Sequence, residues 1–208
     1  MLSVELRPAR PVAHALGGRL SLAFVNSVLW RRSAEPIERV TDYGALAGYL
    51  RDAGGLDDAA LADLEAEAAT DPSGAQTALE RALVLREALF RLFTAVAAGI
   101  EPDGADVTAL DRVFRAGMRQ LRVGVGAGRA YRAGWSGLDV PAWEAAADAV
   151  AVLGTPDAPP LKQCPGETCG WLFVDESRNH SRQWCDSRMC GNRARARRHY
   201  QRHRAASR

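Results

Sequence analysis

The sequence predicts a mainly α-helical protein in two parts. An all-helical bundle, with at most one short β-hairpin, spans residues 1–154. A Pro-rich linker follows at 155–160, and a small C-terminal module ending in a basic helix takes 161–208. Three observations carry this expectation. Apolar residues in the first part recur at steps of three and four, the period of a helix with one buried face. All four cysteines fall in the last part, as Cys164-x4-Cys169-x15-Cys185-x4-Cys190. Charge is also divided unevenly: residues 1–160 carry a net −5 and residues 161–208 a net +7, which together give the +2 of the chain.

In order along the chain, Ser21-Leu22-Ala23-Phe24-Val25-Asn26-Ser27-Val28-Leu29-Trp30 is an apolar run that reads as a buried helix. Asp42 supplies an N-cap for a short amphipathic helix through Leu46, Tyr49 and Leu50, ended by Gly54-Gly55. Asp57 or Asp58 starts another, with Leu61 and Leu64 on one side. Asp71-Pro72-Ser73-Gly74 reads as a break before the longest periodic segment, where Leu79, Leu83, Arg86, Phe90 and Phe93 form a stripe widened by Leu85, Leu89 and Leu92. A helix so broadly apolar belongs at the centre of a bundle, and it should end near Gly99. One more helix is expected from residue 106 to about 122, then a glycine-rich hairpin over 122–135. The last body helix takes 140–154, with Pro141 suited to its first turn. Thr155-Pro156-Asp157-Ala158-Pro159-Pro160 is a stiff linker. No internal repeat interrupts this order.

The cysteine spacing is what one tetrahedral metal ion needs: two tight turns, each bearing a pair, and an insert that folds the second turn back onto the first. The competing readings are two disulfides, favoured in oxidising compartments, and four buried free cysteines, which would not explain the paired spacing. The N-terminus lacks the basic and apolar regions of a signal peptide. No segment reaches the roughly 18 apolar residues of a membrane span. The expectation is therefore a reducing cytoplasm and one structural Zn2+ held by Cys164, Cys169, Cys185 and Cys190. Four thiolates leave no open position for catalysis. Trp171-Leu172-Phe173-Val174 reads as a strand whose aromatics supply most of the module's own core, residues 175–182 as a polar return, and the chain after Cys190 as a helix. A knuckle followed by a helix-borne pair is a treble-clef-like arrangement. So small a unit should depend on its metal for stability.

The tail carries Arg193, Arg195, Arg197, Arg198, Arg202, Arg204 and Arg208, interleaved with His199, Tyr200 and His203. At about 100° per residue, Arg193, Arg197, Arg204 and Arg208 share one side of a helix, and Arg195, Arg198 and Arg202 lie nearly opposite. No apolar stripe exists to hold such a helix by packing. Two arginine rows would suit a helix lying in a nucleic-acid groove and touching phosphates on both walls. The bland alternative is a solvated helix whose arginines offset the −2 charge of the zinc centre. Only one of the 27 basic residues, Lys162, is lysine, which reads as codon bias.

In the body, Asn26 and Arg86 each interrupt an apolar segment and are the polar residues best placed to line a small-molecule effector pocket. The competing reading gives Asn26 a backbone bond and Arg86 a neighbouring carboxylate. His14 is the body's only histidine and reads as a surface residue. No nucleophile–base pair, phosphate-binding loop or His/carboxylate cluster points to an enzyme. The G-x-G of Gly124-Val125-Gly126-Ala127-Gly128 reads as a hairpin turn.

Trp171-Leu172-Phe173-Val174-Asp175-Glu176-Ser177-Arg178-Asn179, Arg182-Gln183-Trp184-Cys185 and Cys190-Gly191-Asn192-Arg193-Ala194-Arg195-Ala196-Arg197-Arg198 together resemble the CGNR zinc finger, named for its residues at 190–193. That resemblance implies a DNA-binding finger after an all-helical domain called ABATE, in a family of stress-induced bacterial transcription regulators. The body agrees: Gly17-Gly18-Arg19-Leu20-Ser21-Leu22-Ala23-Phe24-Val25-Asn26-Ser27 is similar to the opening motif GG-x-L-x-LDFVNT, and Leu85-Arg86-Glu87-Ala88-Leu89 to its LREAL segment. Ala23 departs from the pattern's Asp, and Asp111 from its Asn, so a pocket built on the missing Asp would be altered here.

The function expected is thus a DNA-binding transcription regulator, its helical domain sensing an effector or dimerising. A homodimer reading two half-sites is expected, because one helical arm gives little specificity. The alternative is an RNA-binding or protein-interaction module, and an enzyme is the least favoured class.

Overall fold

The computed structural model describes residues 18–125 and 131–206, with backbone alone at 123–125, 131–133 and 204–206. His14, Gly126 to Gly128, Arg208 and the Arg204 side chain therefore lie outside the described residues. The helices are α1 (Leu20–Val25), α2 (Tyr43–Asp52), α3 (Asp58–Thr70), α4 (Pro72–Ala97), α5 (Gly104–Gln120), α6 (Val140–Gly154) and α7 (Asn192–Ala206). The strands form three antiparallel pairs: β1 (Val28–Leu29) with β2 (Ile37–Glu38), β3 (Arg122–Val125) with β4 (Tyr131–Gly134), and β5 (Leu161–Gln163) with β6 (Leu172–Val174).

The 26-residue α4 is the axis of the body and packs against α1, α2, α3, α5 and α6. Its buried line runs through Ala78, Leu79, Ala82, Leu85, Leu89 and Leu92, while Leu83 and Phe90 are only partly covered. The wide stripe of the sequence is thus centred one position from where its strictest repeat placed it. Alanines at 75, 78, 82 and 88 of α4 and at 142, 145, 146 and 149 of α6 are all buried. Such small side chains let helix axes approach closely. Gly117 of α5 works the same way, since a Cβ there would sit 2.9 Å from Trp143.

Helix starts are set locally by aspartate. Asp42, Asp57 and Asp71 accept the N–H of Ala45, Ala60 and Gly74 at 2.7–2.9 Å, and Asp103 that of Ala105 at 2.7 Å. Each satisfies a donor that the first helical turn leaves orphaned. The supposed break at residues 71–74 is therefore a cap, with Pro72 already in the first turn of α4.

One expectation needs correcting. The run 21–30 is not a single helix: α1 ends at Val25, and the chain turns into β1, with Val28 opposite Glu38 and Leu29 opposite Ile37. Trp30 then adopts a left-handed φ of 53°, which no α-helix can contain. Uninterrupted apolarity cannot distinguish a buried helix from a helix followed by a buried strand. The start of α1 is tied down by Asp148 of α6, which accepts from Ser21 N at 2.8 Å and Ser21 Oγ at 2.6 Å.

The β5–β6 hairpin joins the two halves of the chain. Along β6, Leu172 and Val174 enter the core of the helical body, whereas Phe173 points to the cysteines with Trp171 and Trp184. Successive strand residues face opposite sides, so this single strand is a wall shared by two cores. The aromatics Trp171, Phe173 and Trp184 thus form the module's small core around the cysteines, as expected, while the other face of the same strand is spent on the body.

Candidate metal centre and nucleic-acid interface

The first cysteine pair sits on the knuckle between β5 and β6. Cys164 N–H donates to Trp171 O at 2.7 Å and Cys169 N–H to Gly166 O at 3.0 Å, closing the turn. Gly166 lies against the sulfurs: a Cβ there would be 3.5 Å from the Sγ of both Cys164 and Cys190. The second pair is delivered by the return loop. After β6, fully buried Asp175 accepts from Lys162 Nζ at 2.6 Å, from Ser177 N and from Arg182 N, both at 3.0 Å. Burial pushes this carboxyl up, but Lys162 and Ser177 outweigh it and hold the group well below the usual carboxylate range. Lys162 also donates to His180 O. The chain's only lysine is thus spent on building the loop. Arg182 then stacks on Phe173 at 4.4 Å and donates to Trp184 O and Cys185 O, placing Cys185. Asp186 caps a π turn (Ser187–Gly191) that brings in Cys190 and runs straight into α7.

The four sulfurs are buried and lie within 4.8 Å of one another, with Cys169–Cys185 at 3.6 Å and Cys185–Cys190 at 3.7 Å. A tetrahedral zinc with Zn–S of about 2.3 Å needs sulfurs about 3.8 Å apart, whereas a disulfide closes to about 2.05 Å. The spacing fits one structural Zn2+ and excludes disulfides. As bare thiols the four sulfurs compete for the same protons. Cys169 and Cys185 hydrogen-bond to Cys164 and hold its thiol far below the usual range, while Cys185 is pushed up by its bonds with Cys164 and Cys169. A divalent ion removes that conflict by accepting all four as thiolates.

The centre is fastened to the body at several points. The Asn26 side-chain amide donates to Leu172 O at 2.8 Å and its oxygen accepts Leu172 N–H at 3.0 Å, so one side chain pairs with β6 as a neighbouring strand would. Trp171 Nε1–H donates to Val28 O at 3.0 Å, and Arg32 N–H to Thr168 O at 3.1 Å. Gln163 bonds Thr94 of α4 at 3.2 Å.

Arg86 is 4% exposed, and its whole guanidinium is engaged. It grips Glu38 through Nη1 and Nη2 at 2.7 and 2.6 Å, and bonds Ser27 Oγ at 2.9 Å and Glu87 at 3.0 Å. Arg31 completes the network with two bonds to Glu87 and a stack on Phe90. Burial raises the Glu38 and Glu87 carboxyls, yet their arginine partners hold both below the usual range. Asn26 and Arg86 are thus brought to adjoining positions, through Ser27, and bind protein groups as the second sequence reading allowed. Ala23 is fully enclosed in the core.

The tail helix leaves the metal centre in a set direction. Arg193 lies over the Trp30 ring at 4.0 Å, and Arg197 pairs with Glu167 on the knuckle. On the other side Arg195, Arg198, His199 and Arg202 line an open concavity with Ala196. Arg195 Nη2 bonds Ser187 O at 3.3 Å and also Asn192 Oδ1. His199 and His203 rings meet at a tilt of 54° with centroids 4.4 Å apart. Trp30 and Glu167 escaped sequence reasoning because each is recruited by a residue distant in the chain; the only local hint was an aromatic closing an apolar run.

This fold and site define a zinc-finger protein in which a four-cysteine centre and basic helix are built onto a helical body. The chain belongs to the ABATE family: the model described as "Putative stress-induced transcription regulator" matches residues 18–156, and the CGNR zinc finger matches 161–203. No curated protein matches the sequence. Among the described residues no helix is long and apolar enough to cross a membrane.

Proposed function

We propose that this protein is a cytoplasmic, DNA-binding transcription regulator in which the zinc-stapled basic helix contacts duplex DNA. The helical body presents that helix and carries the effector or dimer contact; no catalytic role is assigned to it. One observation carries the reading: α7 is a direct continuation of the metal centre and offers a contiguous exposed face of arginines, Arg195, Arg198 and Arg202. Clustered cations without acidic partners on an exposed helix attract a polyanion, and phosphate contacts account for most non-specific affinity. The −5 body would repel the same polyanion, which favours approach from the C-terminal end.

The test is retention of genomic fragments by the zinc-loaded chain at moderate salt, with an RNA duplex of equal length as competitor. Enrichment of a sequence motif, with weak competition by RNA, is the expected result. Equal or better binding to RNA would overturn the DNA assignment in favour of an RNA-binding module.

A further inference from the structure

The two arginine rows of α7 have different tasks. We propose, resting on the DNA-binding reading above, that α7 meets DNA with one face only: Arg195, Arg198 and Arg202, with His199 beside them, take the phosphates of a single strand. Arg193 and Arg197 are positioning residues that hold the helix on the protein and touch no phosphate.

The argument is geometric. Arg193 and Arg197 are one turn apart and both point back onto the molecule, one to Trp30 beyond β1 and the other to Glu167 between two zinc ligands. These contacts span the junction of body, knuckle and tail and occupy both guanidinium groups, although the two side chains stay exposed, Arg197 at 51%. A phosphate reaching either one would compete with an indole or a carboxylate already in place. A helix touching both walls of a groove would have to give up these contacts, so the observed docking favours a single face. The opposite row lines an open concavity of about 550 Å³, large enough for a phosphodiester group; Arg195 there also bonds Ser187 O and Asn192, neutral acceptors that a charged phosphate outcompetes. At about 1.5 Å per residue, Arg195 to Arg202 rise about 10.5 Å along the axis. That distance is about three phosphate steps of one strand, which advance about 3.4 Å each along the duplex, so each of the three arginines has a phosphate within reach.

Glu167 makes the proposal testable, because the two roles for Arg197 predict opposite outcomes. It is an exposed side chain, 68% accessible, so changing it does not threaten the fold. If Arg197 contacted phosphate, Glu167 would compete for it, and Glu167→Gln would tighten DNA binding. If Arg197 positions the helix, Glu167→Gln loosens the helix and weakens binding.

The experiment measures affinity of the full-length, zinc-loaded protein for a short duplex by fluorescence anisotropy, from about 50 to 200 mM salt. The expected slope of log K against log salt is about −2.7 for three phosphates, at about −0.9 each. Arg195→Gln, Arg198→Gln and Arg202→Gln should each make the slope shallower by about 0.9. Arg193→Gln, Arg197→Gln, Trp30→Leu and Glu167→Gln should weaken binding several-fold with the slope unchanged. A wild-type slope near about −5, or tighter binding by Glu167→Gln, would overturn the one-face proposal and leave the DNA reading intact. No binding to duplex at the lowest salt would overturn the DNA reading itself, and this proposal with it.

Discussion

The Asn26 side chain is the most economical place to break the link between finger and body. In Asn26→Ala, Leu172 loses the partner of its N–H and of its C=O at once, and Leu172 is fully enclosed, so water does not replace them. Leaving a buried donor or acceptor unpaired costs about 1–3 kcal/mol each, so the two together cost about 2–6 kcal/mol. That is a large part of the roughly 5–15 kcal/mol by which domains are stable. Asn26→Asp keeps the acceptor for Leu172 N–H but sets a carboxylate against Leu172 O, and should be no milder at neutral pH. The assay is equilibrium urea unfolding of the zinc-loaded protein, followed by tryptophan fluorescence, since Trp171 lies on the same seam. A loss below about 1 kcal/mol would refute the reasoning, because it would mean that Leu172 finds other partners and that the amide is no clamp.

Three further outcomes are expected. Arg86→Met should cost about 3 kcal/mol, toward the low end for a broken buried pair because Glu38 is partly exposed and can turn to solvent; urea midpoints measure it. Glu38 and Glu87 have folded-state pKa values below their unfolded values, so the stability they contribute is present above about pH 4.5 and is lost as pH falls through the lowered values. Wild-type protein should thus lose stability on acidification below that point, and Arg86→Met should show a flatter profile when urea midpoints are measured at each pH. Zinc removal by a chelator should strip amide-exchange protection from residues 185–206 but leave it at Leu172–Val174, because β6 is also held by the body core and Asn26; simultaneous loss at both would mean that the finger folds only with its metal.

Much of the architecture was legible because it is local. The aspartate caps, the end of α4 before Gly99, the extent of α6 and each of the two cysteine pairs depend on residues within a few positions of one another. The run 21–30 misled because helix and strand are equally satisfied by continuous apolarity, and what separates them is pairing with β2 nine residues on. The arginine rows were visible as a helical pattern, but not that one row would be occupied. Nothing near Arg193 in sequence announces that Trp30, held in a left-handed turn, will lie beneath it.

By itself, then, the sequence determined the helical period, the metal ligands and the charge split, since each is a matter of spacing and composition. Only the tertiary structure decided that Asn26 clamps β6, that Arg86 is spent on Glu38, and which face of α7 remains open. Those outcomes depend on groups brought together across 30 to 163 residues. Side chains such as Asn and Arg satisfy whichever buried partner the packing supplies, and that partner is known only once the chain has folded.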